Sequence, residues 1–227
     1  MGDVAPRLLV VCGLAAEARI AKGPRNWTLC AGDVTAAQEQ ALAAALSAGG
    51  AGVLSFGIAG GLARGLKPGD IVLANSVVSE DGRFVCDAGW LQRLGAKLPK
   101  ATRAPLFGAA SPVATTDDKL RLAARTGAVA VDMESQIAAR WAARYGAPLA
   151  VLRIVADSVE RTLPPAALVG MRPDGSTDIG AVLRSLASAP GQMPALVRTA
   201  LDAKRAFDEL KRCRSVVGDG FCFLGVS

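Results

Sequence analysis

Short apolar runs of strand length alternate with segments of helical periodicity along this chain, and this alternation restricts the possible folds more than any other feature. The stretch AVAVDMESQIAARWA, residues 128–142, shows both patterns in sequence. Ala128 to Val131 has the length and β-branched content of a buried strand, and Ile137, Ala138 and Trp141 then recur at helical spacing. Alternation of this kind predicts a layered α/β domain.

The same two patterns predict most of the remaining elements. Strands are predicted at Leu8–Cys12, Trp27–Cys30, Val53–Phe56, Ile71–Ala74, Leu106–Val113 and Leu149–Val155, with a hairpin turn at Asp81-Gly82. Helices are predicted from Thr35 to Gly49, from Thr116 to Gly127, from Ile179 to Ser188 and from Pro194 to Arg212. Residues 158–178 are rich in Pro and Gly and predict a long loop, and residues 214–227 a C-terminal tail. We expect residues 1–227 to form one domain, because no repeat or linker divides them.

The composition restricts the chemistry. The chain has no histidine, which excludes histidine-based triads and histidine-ligated zinc. Its five cysteines are scattered and never form a C-x-x-C pair, so we expect reduced thiols and no metal. No apolar run approaches the roughly 20 residues of a membrane span, and the first residues do not resemble a signal peptide. These features predict a cytoplasmic protein, and the net charge of +6 suits anionic partners or a membrane surface.

The glycine-rich segment Gly57-Ile-Ala-Gly60-Gly61 follows a predicted strand. It matches neither G-x-G-x-x-G nor G-x-x-x-x-G-K-[ST], which excludes the Rossmann and P-loop interpretations. On the residues alone, a tight structural turn is the favoured interpretation. The alternative is a pocket wall, because glycines let a ligand approach backbone N–H groups closely.

Four segments together resemble the nucleoside phosphorylase/nucleosidase superfamily, in the order in which its members carry them. They are LLVVCGLAAEA at residues 8–18, SFGIAGGLARGLKPGDIVLANSVV at residues 55–78, VDMES at residues 131–135 and LRIVADS at residues 152–158. The resemblance implies a three-layer α/β/α sandwich with a central, mixed, twisted sheet. It also implies cleavage of the N-glycosidic bond of a nucleoside, with no cofactor other than phosphate as a possible co-substrate.

The resemblance also implies roles for individual residues. Asp157 would donate or share a proton at purine N7, Glu134 would accept hydrogen bonds from the ribose hydroxyls, and Met133 would lie against the sugar. Glu17 is the candidate base for an attacking water, with an exposed glutamate in a first helical turn as an equal alternative. Ile58, Ala59 and Gly60 would form backbone walls of the site. For Asp157 the alternative is a cap of the following loop, and for Met133 it is core packing.

Four departures from the superfamily pattern bear on the mechanism. Ala156 replaces a serine before the catalytic aspartate, and Ile58 replaces a small hydroxyl residue. The purine-stacking phenylalanine is missing near residues 115–120, and the region before Gly57 lacks an arginine-bearing phosphate loop. The last departure favours water over phosphate as the nucleophile, although Arg19, Arg64 and Arg153 remain candidates for a phosphate site.

The segment after Ser158 resembles the hopanoid-associated branch, which releases adenine from adenosylhopane. Residues 163–171 and Phe221 to Val226 are candidates for a lipid groove or a membrane contact, and the last helix for a basic membrane surface. The alternatives are a nucleosidase or phosphorylase that acts on soluble nucleosides such as methylthioadenosine, and a non-catalytic binding protein. We expect a homo-oligomer, most simply a dimer, possible peripheral contact with the inner membrane, and no nucleic-acid partner.

Overall fold

A mixed β-sheet lies at the centre of the computed structural model, which describes residues 8–30, 43, 44, 46, 51–169 and 179–223. Within these residues the sheet has eight strands. They are β1 (Leu8–Cys12), β2 (Asn26–Cys30), β3 (Gly52–Gly61), β4 (Ile71–Ser79), β5 (Gly82–Val85), β6 (Thr102–Gly108), β7 (Ala130–Asp132) and β8 (Leu149–Asp157). Apart from the helix expected after Thr35, most of which lies outside the described residues, the predicted elements are found.

Five of the strands close into a ring. The sheet runs in the order β2-β1-β3-β7-β6-β4-β5, and β8 pairs with both β3 and β4. β8 is parallel to β3 and antiparallel to β4, while β7 is antiparallel to β3 and parallel to β6. The predicted mixed sheet is therefore confirmed. Its closure also leaves β3, β4, β6, β7 and β8 without a free edge along their paired segments.

Helices cover both faces of the sheet and give the predicted three layers. The described helices are α1 (Ala15–Ala21), α2 (Ala88–Lys97), α3 (Thr116–Thr126), α4 (Ser135–Tyr145), α5 (Pro165–Val169), α6 (Ile179–Ser188) and α7 (Met193–Val217), with a 3₁₀ turn at Pro190–Gln192. α7 contacts β3 and β8 together with α1 and α2, and α4 contacts β3, β4, β6 and β8. No described helix is both long and apolar enough to cross a membrane.

Three predicted elements differ from the structure. The glycine-rich segment is not a turn, because β3 continues through Gly61 and pairs with β7 and β8 there. β6 ends at Gly108 rather than at Val113, before Pro112, which lacks the N–H that a strand ladder requires. The hairpin turn lies one residue earlier than expected, since Gly82 already pairs with Ser79. Helix α2 was not predicted at all, and helix α5 lies inside residues 158–178, which were predicted to form a loop.

The C-terminal residues belong to the core rather than to a separate tail. Residues 214–217 continue α7, and Phe221 is fully buried with its ring 5.2 Å from that of Phe56. The Phe221 carbonyl accepts a hydrogen bond of 2.7 Å from Trp90 Nε1. The expectation that Phe221 lines a lipid groove or contacts a membrane is therefore wrong. Residues 170–178 and 224–227, which carried the rest of the predicted loop and tail, lie outside the described residues.

Candidate functional site

One pocket brings together all the residues that the sequence predicts for the site. It lies at the carboxyl ends of β1, β3, β7 and β8, and ligands commonly bind at the carboxyl ends of strands in α/β folds. The predicted residues that line it are Glu17, Ile58, Ala59, Gly60, Met133, Glu134 and Asp157. Their assembly is a structural result, whereas the individual roles stay predictions.

A buried arginine organises the carboxylates on one side of the pocket. Arg153 is 0% exposed, in the middle of β8. Its Nε lies 2.6 Å from Asp132 Oδ2, an ion pair rather than an aligned hydrogen bond. Its Nη2 lies 3.4 Å from Glu134 Oε2 and donates a 2.6 Å hydrogen bond to Ser55 Oγ. A buried charge needs such partners, and Arg153 therefore does not line the pocket as a phosphate ligand.

Glu17 is held by backbone donors from two elements. Its Oε2 accepts hydrogen bonds from the N–H groups of Gly13 and Leu14 at 2.8 and 2.9 Å, and its Oε1 accepts one from the Ile58 N–H at 2.7 Å. These bonds use three of about four acceptor positions on a carboxylate. Burial raises the pKa of Glu17, while Arg153 and the three N–H donors oppose that rise. Glu17 is only 1% exposed, so the alternative of an exposed glutamate is wrong.

Gly57 is required by the packing of Glu17 and Arg153. A Cβ atom built on Gly57 would lie 2.4 Å from Glu17 Oε1 and 2.5 Å from Arg153 Nη1. Neither side chain has room to retreat, because both are buried and hydrogen bonded. The absence of a side chain at Gly57 thus permits the Glu17 carboxylate and the Arg153 guanidinium to pack against the backbone of β3.

Asp132 and Glu134 join β7 to α4 and differ in exposure. The Asp132 side chain accepts hydrogen bonds from the N–H and the hydroxyl of Ser135, so it caps the start of α4 as well as pairing with Arg153. Glu134 retains 18% side-chain exposure and lines the pocket. Burial, together with the negative charges of Asp132 and Glu17, raises the pKa of Glu134 to about 7 in spite of Arg153.

Asp157 lines the pocket at the end of β8, where the pairing of β3 and β8 is irregular. The register shifts after Ala59, so that Gly60 pairs with Asp157. Such bulges commonly redirect side chains next to functional sites. A Cβ atom on Gly60 would lie 3.4 and 3.5 Å from Asp157 Oδ1 and Oδ2, so the carboxyl group lies against the glycine wall. Asp157 Oδ2 accepts a hydrogen bond from Lys119 Nζ.

Most of the remaining lining residues are apolar, with Ser111 as the polar exception. Pro112 and Val113 follow β6, Val131 lies on β7, and Leu163 lies in the loop after β8. Among the described lining residues there is no Lys or Arg and no aromatic side chain, which agrees with the missing stacking phenylalanine. Arg19 and Arg64, the other candidate phosphate ligands, are exposed and do not line the pocket. In the described part of the chain, no group of three or more acidic, Cys or His side chains is placed to hold a metal ion.

Residues 9–202 match the family model described as Phosphorylase superfamily, which accounts for most of the chain. The chain belongs to the phosphorylase superfamily. A comparison with curated protein sequences finds no significant match.

Solved structures of nucleosidases and of a futalosine hydrolase share the fold of this superfamily member. Methylthioadenosine/S-adenosylhomocysteine nucleosidase from Streptococcus pneumoniae has a TM-score of 0.62 at 14% identity, covering 97% of this chain and 99% of that chain. A mutant of the corresponding Helicobacter pylori enzyme, with methylthioadenosine in its active site, scores 0.59 at 14% identity, covering 94% and 98%. Futalosine hydrolase of H. pylori scores 0.59 at 14% identity, covering 92% and 97%. At these identities the likeness shows the fold.

The sequence analysis did not predict the structural roles of two buried cations, Arg153 and Lys119. Arg153 interrupts an otherwise apolar strand, and a charge in that setting requires buried partners. Lys119 shares a face of α3 with the buried Leu122, three residues later, where a helix packing on the core normally places an apolar side chain. Both signals are charges at positions where the pattern calls for apolar residues.

We expect Arg153→Met to destabilise the protein by about 3–5 kcal/mol, because it leaves buried carboxylates without their cation. The loss should be largest at pH 8 and smaller at pH 5. Without the guanidinium the pKa values of Asp132, Glu134 and Glu17 rise further, and their protonation at low pH relieves the repulsion. Urea denaturation at both pH values measures this difference. Arg19→Met, at an exposed position, is the control, and an equal loss at the two pH values would contradict the prediction.

Proposed function

We propose that this protein cleaves the N-glycosidic bond of a purine nucleoside. The observation that carries the proposal is that Asp157, Glu17 and Glu134 line one pocket, with Glu17 packed against Gly57 of β3 and Asp157 against Gly60 of the same strand. Cleavage of this bond builds positive charge on the ribose and negative charge on the departing base. Carboxylates near the sugar stabilise the first charge, and an acid near the base neutralises the second.

The Arg153 side of the pocket suits the ribose. Glu134 would accept hydrogen bonds from the sugar hydroxyls, and the partly exposed Met133 would lie against the sugar face. Glu17 would accept a proton from the attacking water through the acceptor position that its three backbone donors leave open. Its fixed orientation supports this role, because a base must lie within hydrogen-bond reach of the proton it removes.

The Asp157 side suits the base. Burial raises the pKa of Asp157 despite the nearby Lys119, so the carboxyl can hold a proton closer to neutral pH than an exposed aspartate does. Transfer of that proton to N7 while the glycosidic electron pair moves to N9 would release a neutral purine. Pro112, Val113 and Leu163 would contact the faces of the base that a phenylalanine covers in the superfamily pattern.

We further propose adenosylhopane as the substrate, with water as the nucleophile. The resemblance of the segment after Ser158 to the hopanoid-associated branch supports the substrate. The position of Leu163, an apolar residue of that segment in the pocket lining, is compatible with it. The similar solved structures are described as nucleosidases and a hydrolase, which supports hydrolysis. Soluble nucleosides such as methylthioadenosine are the alternative.

Adenine release from adenosylhopane and from methylthioadenosine, each with and without phosphate, tests the proposal. We expect release from the lipid nucleoside that does not depend on phosphate. Asp157→Asn should lower kcat by about 10²–10⁴-fold while substrate still binds, because general acids contribute about that much. Phosphate dependence would make the enzyme a phosphorylase, and turnover of methylthioadenosine alone would exclude the hopanoid substrate. Binding without turnover of either nucleoside would identify a binding protein.

The pH dependence of kcat/KM tests Glu134 separately. The pKa of Glu134 lies above its usual value, at about 7, so the carboxyl is protonated below that pH and ionised above it. Because only the carboxylate accepts two hydroxyl donors, kcat/KM should rise with pH up to about 7 and then level off. Glu134→Gln should remove this limb and lower kcat/KM by about 10–100-fold, the cost of losing a charged hydrogen bond. Glu80→Gln, at an exposed position, is the control, and a limb that persists in Glu134→Gln would exclude this role.

We also propose peripheral membrane contact, through exposed apolar and basic side chains of α6 and of α7, the last helix. Leu183, Val197 and Leu201 are 61%, 49% and 53% exposed, and Arg184 and Arg198 are exposed beside them. Replacing the three apolar residues by Ser should weaken binding to vesicles with anionic lipid at least about tenfold. Val85→Ser on β5, at a 76% exposed position, is the control. Unchanged binding would exclude this surface.

We also propose, separately, that the protein forms a homodimer, which sedimentation analysis would test.

A further inference from the structure

A buried ammonium group stands behind the Asp157 carboxyl. Lys119 projects from α3, its side chain is 0% exposed, and its Nζ does not reach the pocket. It donates hydrogen bonds to Asp157 Oδ2, to the Ser158 carbonyl at 3.2 Å and to the Arg161 carbonyl at 2.8 Å. An ammonium has three donors, and these contacts employ all of them. Lys119 is thus fixed in position and in direction.

The two oxygens of Asp157 have different surroundings as a result. Both oxygens lie against Gly60, but Oδ2 accepts the hydrogen bond of Lys119, whereas no described residue donates one to Oδ1, and the Asp157 side chain keeps 12% exposure at the pocket. Of the other charged groups around Asp157, Arg161 lies in the following loop, and Asp202 on α7 is paired with Arg161 and Arg205. Arg161 is engaged by Asp202, and Lys119 is, among the described residues, the cation in direct contact with Asp157.

We propose that Lys119 is the positioning residue of the general acid: it turns Asp157 Oδ1 toward the base and stabilises the carboxylate left after proton transfer. The inference rests on the proposed function, in which Asp157 protonates the base. The proton leaves Oδ1 for N7, the electron pair of the C1′–N9 bond moves to the base, and the negative charge that remains on Asp157 is balanced by the ammonium. Lys119 neither gains nor loses a proton in this step.

The variant Lys119→Met removes the positive charge but keeps an unbranched, largely apolar side chain of similar length. An ammonium in contact lowers the pKa of a carboxyl by about 1–3 units, so its loss should move the descending limb of the kcat–pH profile upward by about that amount. The limb descends because the acid must be protonated to act. We also expect kcat to fall at least about tenfold while KM changes little, since a weaker and less oriented acid donates less readily. Lys119→Arg, which keeps a charge, should retain the wild-type limb.

Lys97→Met, at an exposed position on α2, is the matched control. If Lys119→Met does not fold, Lys119→Gln provides the same measurement, because its amide can still donate to the loop carbonyls without a charge. A fall in kcat with an unchanged limb would overturn the proposal and leave Lys119 as an anchor of residues 158–161. Unchanged kcat and limb would overturn it too. Asp157→Asn separates the two levels: if that variant retains full turnover, the proposed acid itself is wrong.

Discussion

The ion pairs of Arg153 support both the fold and the candidate site. A guanidinium on β8 is too costly to bury without anions, and two buried carboxylates with a third that is only partly exposed are too costly without a cation. Arg153 and its partners Asp132, Glu134 and Glu17 meet both requirements. The network also connects β8 to β3, through Ser55 and the Ile58 carbonyl, and to the start of α4, through Asp132. The groups that shape the pocket are therefore the groups that hold its walls together.

The pocket has two electrostatic parts that are built in the same way. In each, a carboxylate faces the pocket and a fully buried cation lies behind it: Arg153 behind Glu17 and Glu134, and Lys119 behind Asp157. The cations restrain the carboxylates without presenting positive charge to a ligand. Such an arrangement suits a reaction in which positive charge develops on the part of the ligand between the carboxylates, because preorganised groups need not reorient as that charge appears.

How far the sequence predicts this architecture depends on the range of the interactions involved. The apolar runs locate β1 and β8 well, because a local pattern is enough to specify a buried strand. The meeting of the motif residues in one pocket was expected from the resemblance to the superfamily and not from any local pattern. The ring closure depends on antiparallel pairing of Ile71 with Ile154, two residues far apart in sequence, which no local pattern reports. The burial of Phe221 depends on Phe56 and Trp90 in the same way. Lys119 was visible only as a charge on an apolar helix face, and its partner could not be read from that face.

The same charge distribution bears on the choice between water and phosphate. A phosphate dianion that entered this pocket would meet Glu17, Glu134 and Asp157, and no cation among the described lining residues. Each of these groups that is ionised would repel the dianion, since like charges about 4 Å apart repel by about 4 kcal/mol in a partly buried setting. Water brings no charge, and Glu17 would accept its proton. Arg153 is buried and paired with carboxylates of the chain, and Lys119 donates all three of its hydrogen bonds to the chain, so neither presents positive charge to an anion in the pocket. The electrostatics of the site therefore favour hydrolysis for the same reason that they favour a cationic ribose.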